Sequence, residues 1–202
     1  MTKHIGLDFD NTIITYDEVF HKYALKSELI LNEVKKNKQV IRDAIRALPE
    51  GNDKWTELQG FVYGKHVCEA RLTRGVESFF EACKRNSVKV SIISHKTLYP
   101  ASGPRVNLHT AAKRWLKDMD FLSKFGLMEG DIVFEETLEG KLGQITRKKC
   151  AYFIDDLKEV LLHPDFPKGV GKILYSEEAD DALPADITIF KDWDEITKHF
   201  FG

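Results

Sequence analysis

The segment Ile5-Gly6-Leu7-Asp8-Phe9-Asp10-Asn11-Thr12 constrains the fold more than any other stretch of the chain. Ile5, Leu7 and Phe9 read as a strand buried in a core. Taking a carboxylate out of water is costly unless it is paired or bound to a metal. A buried strand that runs into Asp8 and Asp10 therefore needs a reason for both acids. The two share strand parity, which lets both face one site, and Asn11-Thr12 reads as the turn that leaves the strand. Two acids at the exit of a core strand point to a site for a cation, a phosphate, or both.

Apolar runs at residues 4–9, 88–93, 132–134, 151–154, 170–174 and 187–190 read as buried strands. Helical patterns separate most of them. Val76, Phe79, Phe80 and Cys83 share a face, and Leu108, Ala112, Trp115, Met119 and Leu122 form one continuous apolar stripe. Trp193, Ile196, Phe200 and Phe201 suggest a terminal amphipathic helix whose aromatic face packs on the sheet or serves a homodimer. Strands alternating with helices imply an α/β fold, a doubly wound and mainly parallel sheet covered on both faces.

Residues 17–72 break that rhythm. Phe20, Tyr23, Ala24 and Leu31 suggest one helix, and Val40, Ile41, Ala44, Ile45 and Leu48 a second. Trp55, Leu58, Phe61 and Val62 suggest a third, weakened by Gly60 and Gly64. The segment is far longer than a crossover needs. It reads as a helical subdomain inserted into a core formed by residues 1–16 and 73–202.

The 202-residue chain carries a net charge of −2 and no long basic block, which argues against a nucleic-acid partner. No apolar stretch approaches the ~20 residues that span a membrane, and Met1-Thr2-Lys3-His4 leads into the first strand without a secretory signal. Cys68, Cys83 and Cys150 lie far apart, with neither zinc spacing nor a disulfide framework. They are expected to be buried and reduced, and the location cytoplasmic. Glu177 to Asp181 reads as a solvated acidic loop.

Ligands of doubly wound sheets bind outside the carboxyl ends of the strands. Those ends carry Asp8 and Asp10, then Ser94 followed by His95 and Lys96, then Asp155 and Asp156. Lys141, Lys148 and Lys149 all precede the strand that ends in Asp155; Lys141, near the start of a helix, is favoured. The series Asp8-x-Asp10-x-Thr12, Ser94, a lysine, then Asp155-Asp156 resembles the haloacid dehalogenase superfamily. The insertion after the first motif is similar to the small helical cap of many members.

The resemblance implies a Rossmann-like core and a phosphatase. Asp8 would be the nucleophile that forms an aspartyl-phosphate. Asp10 would be general acid and then general base, and a metal ligand through its backbone carbonyl. Ser94 would bind a phosphoryl oxygen, with His95 and Lys96 facing substrate. The lysine would hold the nucleophile and offset developing charge. Asp8, Asp155 and Asp156 would complete a Mg²⁺ site. Two charges ~4 Å apart interact by ~4 kcal/mol at an effective dielectric of 20, so clustered carboxylates beside a phosphate call for such an ion. The expected substrate is a small phosphomonoester. Alternatives are a phosphotransferase or mutase, and a silent metal-binding module. A signalling receiver domain fits poorly, because its phosphorylated aspartate lies on a later strand.

Overall fold

The structure is a computed structural model and describes residues 3–176 and 183–202. The expected acidic loop lies outside the described residues. In chain order the elements are β1 (His4–Leu7), β2 (Ile14–Thr15), α1 (Asp17–Lys26), α2 (Lys38–Arg46), α3 (Gly51–Lys65), β3 (Arg71–Leu72), α4 (Val76–Arg85) and β4 (Lys89–His95). There follow α5 (Leu108–Asp118), α6 (Phe121–Phe125), β5 (Ile132–Glu135), α7 (Leu138–Arg147), β6 (Tyr152–Asp155), α8 (Lys158–Leu161), β7 (Gly171–Tyr175), β8 (Ile187–Phe190) and α9 (Trp193–Phe201).

All six expected strands form one sheet in the order β5-β4-β1-β6-β7-β8. Every neighbouring pair is parallel. The register sets Gly6 beside Ser91 and Phe153, and Leu7 beside Ile92 and Ile154. On the Gly6 face, Ile93, Phe153 and Leu174 pack with Leu142 and Ile145 of α7 and Val160 and Leu161 of α8. A Cβ on Gly6 would come within 2.6 Å of the Phe153 ring and 2.9 Å of Cys150 Sγ, so the glycine makes room for that ring. On the opposite face α9 meets Tyr152 through Phe200 (ring centroids 5.0 Å apart) and α4 through Trp193 and Phe79 (4.9 Å). The aromatic residues of the terminal helix are thus packed on its own sheet.

The chain divides into two compact units. The first holds Met1–Ile14, Leu72–Lys96 and Asp120–Gly202, and contains the six-stranded sheet. The second holds Thr15–Arg71 and Thr97–Met119. The expected insertion at 17–72 therefore gains α5, which the sequence assigns to the core. The reason lies in α3 and the turn after it. Trp115 of α5 is buried and its Nε1 donates to the Ala70 carbonyl at 3.2 Å. A Cβ on Gly60 would sit 2.2 Å from the Ser102 carbonyl oxygen, and one on Gly64 3.0 Å from Val106. The two glycines that weaken α3 in the sequence are where the chain 100–106 lies against it.

Four other expectations change. The stripe from Leu108 to Leu122 is broken between α5 and α6, where Asp120 takes a left-handed backbone (φ 53°). Leu31 is 75 % exposed, because α1 ends at Lys26 and Glu28 turns the chain with φ 55°. Arg71–Leu72 pairs with Ile14–Thr15 as a two-stranded ribbon, too short to leave an apolar pattern. Cys83 and Cys150 are buried as expected, their thiols pushed by burial up to about 12 and about 11, whereas Cys68 is exposed. Among the described residues no helix is long and apolar enough to cross a membrane.

Candidate active site

The site lies within the first unit, at the carboxyl ends of β1, β4 and β6. The ladder of β1 extends one residue past the strand: Asp8 N donates to the Ile154 carbonyl at 2.9 Å. The chain then turns sharply. The Phe9 carbonyl accepts from Ile13 N and Ile14 N at 3.0 and 3.1 Å, and Asn11 adopts φ 58°. Asp10 stands in this turn rather than on the strand, so strand parity does not decide where its carboxylate points.

β6 delivers two acids with different surroundings. Asp155 is fully buried, and its Oδ1 accepts from Leu157 N at 3.0 Å. Asp156 is braced by the β1 turn: Asn11 Nδ2 donates to its Oδ2 at 3.2 Å, and Thr12 Oγ1 to its Oδ1 at 3.3 Å. Carboxylate oxygens of Asp8, Asp155 and Asp156 lie within 4.8 Å of one another.

The basic partner of this cluster comes from α7. The Thr137 side chain caps that helix by accepting from Gly140 N at 3.0 Å, which puts Lys141 in the first turn. Lys141 is 2 % exposed, and its Nζ donates to Asp8 Oδ1 and to Asp155 Oδ2, each at 2.6 Å. Its stem passes the Phe153 ring, with Nζ 5.3 Å from the centroid. Burial works against the charge on Lys141, but the carboxylates of Asp155 and Asp8 outweigh it and raise its pKa above the ordinary lysine value. The Asp155 carboxyl is raised to about 7, by burial first and by the charge of Asp8, against the opposing pull of Lys141. Of the other two candidate lysines, Lys148 donates to the Gly130 carbonyl, and Lys149 is exposed with φ 53°.

The β4 end separates the three residues expected there. Ser94 is buried and pairs in register with Phe134. His95 is exposed and donates from Nε2 to the Glu136 carbonyl at 3.1 Å, in the connection between β5 and α7. Lys96 is 6 % exposed, and its Nζ donates to Asp10 Oδ2 at 2.6 Å. Sequence reasoning gives Asn11 no role beyond a turn and does not link Lys96 to Asp10. A signal for the first exists: an amide and a hydroxyl directly after Asp10 are short donors that a turn aims at the neighbouring strand end.

Four acidic side chains (Asp8, Asp10, Asp155, Asp156) meet two lysines (Lys96, Lys141), an excess of acids over bases. Three hard oxygen donors on three separate side chains, with that excess, suit a divalent cation.

No family model matches the sequence, and no curated protein matches it either. Solved structures match the fold. A haloacid dehalogenase-like family hydrolase from Streptococcus pneumoniae superposes with a TM-score of 0.63 at 14% identity, covering 98% of each chain. A HAD-superfamily hydrolase, subfamily IA, variant 1, from Geobacter sulfurreducens has a TM-score of 0.61 at 13% identity, over 98% of this chain and 96% of its own. A protein described as a predicted phosphatase, from Clostridium acetobutylicum, has a TM-score of 0.60 at 16% identity, over 99% of this chain and 98% of its own. Over nearly its whole length, the chain has the fold of the haloacid dehalogenase superfamily hydrolases.

Proposed function

We propose that the protein is a Mg²⁺-dependent phosphatase that hydrolyses a small-molecule phosphomonoester through an aspartyl-phosphate. The observation that carries this reading is the buried contact of Lys141 with both Asp8 and Asp155, beside Asp156. A lysine so placed holds a nucleophilic carboxylate in one rotamer and faces the charge that develops on a transferring group.

In this reading an oxygen of Asp8 attacks phosphorus and the bond from phosphorus to the substrate oxygen breaks. Asp10 gives its proton to that leaving oxygen. Water then attacks the phosphorus of the aspartyl-phosphate, Asp10 takes the water's proton, and the Asp8 carboxylate leaves with inorganic phosphate formed. Ser94 donates to a phosphoryl oxygen. Asp8, Asp155 and Asp156 would hold the cation, Asp10 adding its backbone carbonyl, and the bound ion would supply positive charge against the phosphoryl oxygens. The helical second unit would act as a cap that selects a small substrate. A phosphotransferase would use the same residues with another acceptor.

The test is phosphate release from p-nitrophenyl phosphate and a panel of phosphomonoesters with Mg²⁺. Asp8→Asn is expected to lose at least about 1,000-fold, about 4 kcal/mol in barrier. A folded, metal-loaded wild type that turns over nothing in the panel would sink the reading.

A further inference from the structure

We infer that Lys96 is the positioning residue for Asp10, a role that rests on the phosphatase reading above. Lys96 is held at both ends. Its backbone N donates to the Glu135 carbonyl at 2.8 Å, which extends the pairing of β4 with β5 past the strand. Its side chain is 5 % exposed and ends 2.6 Å from Asp10 Oδ2, while the Asp10 side chain is 19 % exposed. The Phe9 ring lies alongside, 5.9 Å from Nζ, and is itself fixed against Phe134 at 5.5 Å. The lysine stem therefore has few rotamers left to lose when the ion pair forms.

Asp10 is the member of the acid group that needs such a guide. Asp8 and Asp155 are aimed by the sheet and by Lys141, and Asp156 by Asn11 and Thr12. Asp10 leaves the sheet in a turn whose next residue has φ 58°. Lys96 holds its carboxylate there, with Nζ 2.6 Å from Oδ2. Holding Oδ2 fixes where Oδ1 points. Buried ion pairs contribute little net stability against an apolar replacement, so this pair is better explained by geometry than by folding energy. Because Lys96 and Lys141 are separate, the two reacting carboxylates are oriented independently: Asp8 by a helix, Asp10 by a strand end.

A misplaced acid slows substrates whose leaving oxygen must be protonated, and spares those whose leaving group departs readily. The experiment compares Lys96→Met, Lys96→Arg, Asp10→Asn and the double variant Lys96→Met/Asp10→Asn. The substrates are p-nitrophenyl phosphate and the best alkyl phosphate in the panel. Lys96→Met is expected to lower kcat about 100-fold on the alkyl phosphate, but less than about 10-fold on p-nitrophenyl phosphate, with little change in KM. Lys96→Arg recovers part of the loss, and the double variant is no slower than Asp10→Asn. A crystal structure of Lys96→Met would show the Asp10 carboxylate rotated. The inference is overturned by an equal loss on both substrates with raised KM, by additive losses in the double variant, or by an unmoved Asp10. A wild type that hydrolyses neither substrate defeats the phosphatase reading instead, and the crystal structure still decides the positioning.

Discussion

Two clusters of acids and bases occupy the two units, and they differ in how far water reaches them. At the sheet end, Lys141, Asp8 and Asp155 meet with side-chain exposures of 2 %, 7 % and 0 %. In the helical unit, Lys22 and Glu69 pair at 2.5 Å with exposures of 48 % and 31 %. Tyr23 Oη donates to Glu69 at 2.6 Å, and His66 Nδ1 lies 2.7 Å from the same oxygen. Hydrogen bonds from Lys22, Tyr23 and His66 hold the Glu69 carboxyl down at about 2. Both pair a lysine with carboxylate, and the second adds a tyrosine and a histidine. Water solvates the second cluster and screens it, so it carries little either way. The first is desolvated, so each charge depends on its neighbours and the removal of one exposes the rest. A chain keeps such an arrangement where chemistry needs charge in a dry place.

The largest effect that sharpens this contrast is Lys141→Met, which leaves two buried carboxylates without their cation. Urea unfolding of the metal-free protein is expected to show a loss of about 3–5 kcal/mol. A loss below about 1 kcal/mol would erase the distinction between the clusters. Next comes the metal. Mg²⁺ at about 100 times its dissociation constant is expected to add about 2.7 kcal/mol to stability, raising the melting temperature in wild type but not in Asp156→Asn.

A smaller effect comes from a buried base away from the acids. His4 is 8 % exposed, and its Nε2 lies 2.9 Å from Ser91 Oγ. Burial lowers its pKa below the ordinary 6.5, opposed by a hydrogen bond that the imidazole makes to the Lys148 backbone carbonyl. The unfolded chain then takes up the proton more readily than the native one. This contribution is whole above pH 6.5 and is lost as pH falls from there toward the native value. The slope is at most about 1.4 kcal/mol per pH unit. His4→Asn is expected to flatten it, read from urea midpoints at about pH 7.5 and 5.5. The smallest effect is Lys22→Met: no resolvable change in urea midpoint at physiological salt. A clear drop would show that the exposed cluster matters more than its solvation suggests.

Much of this was legible in the chain. Six buried strands announce themselves because each is a short apolar run, and Asp8 and Asp155 stand out because acids are anomalous there. Lys141 could be favoured for its place in a helix. Its contact with Asp8 follows from the family resemblance, but its contact with Asp155 does not, because that depends on the sheet face that α7 covers. The helical unit shows what patterns miss. Trp115 has the same periodicity whether α5 packs on a sheet or on α3, and Gly60 reads as a weak point unless one knows that Ser102 lies against it. Strand parity lets Asp8 and Asp10 face one site, but β1 ends at Leu7 and Asp10 stands in the turn closed on the Phe9 carbonyl.

The sheet order has a consequence for synthesis on the ribosome. β1 emerges first yet lies between β4 and β6, so its two edges are satisfied at different times. The helical unit is complete once Met119 is made, whereas β6 begins only at Tyr152. During that interval β1, buried along its whole length in the finished fold, has one unpaired edge, a template for pairing with other chains. The region of the nascent chain that most needs shelter is thus the strand that leads into Asp8.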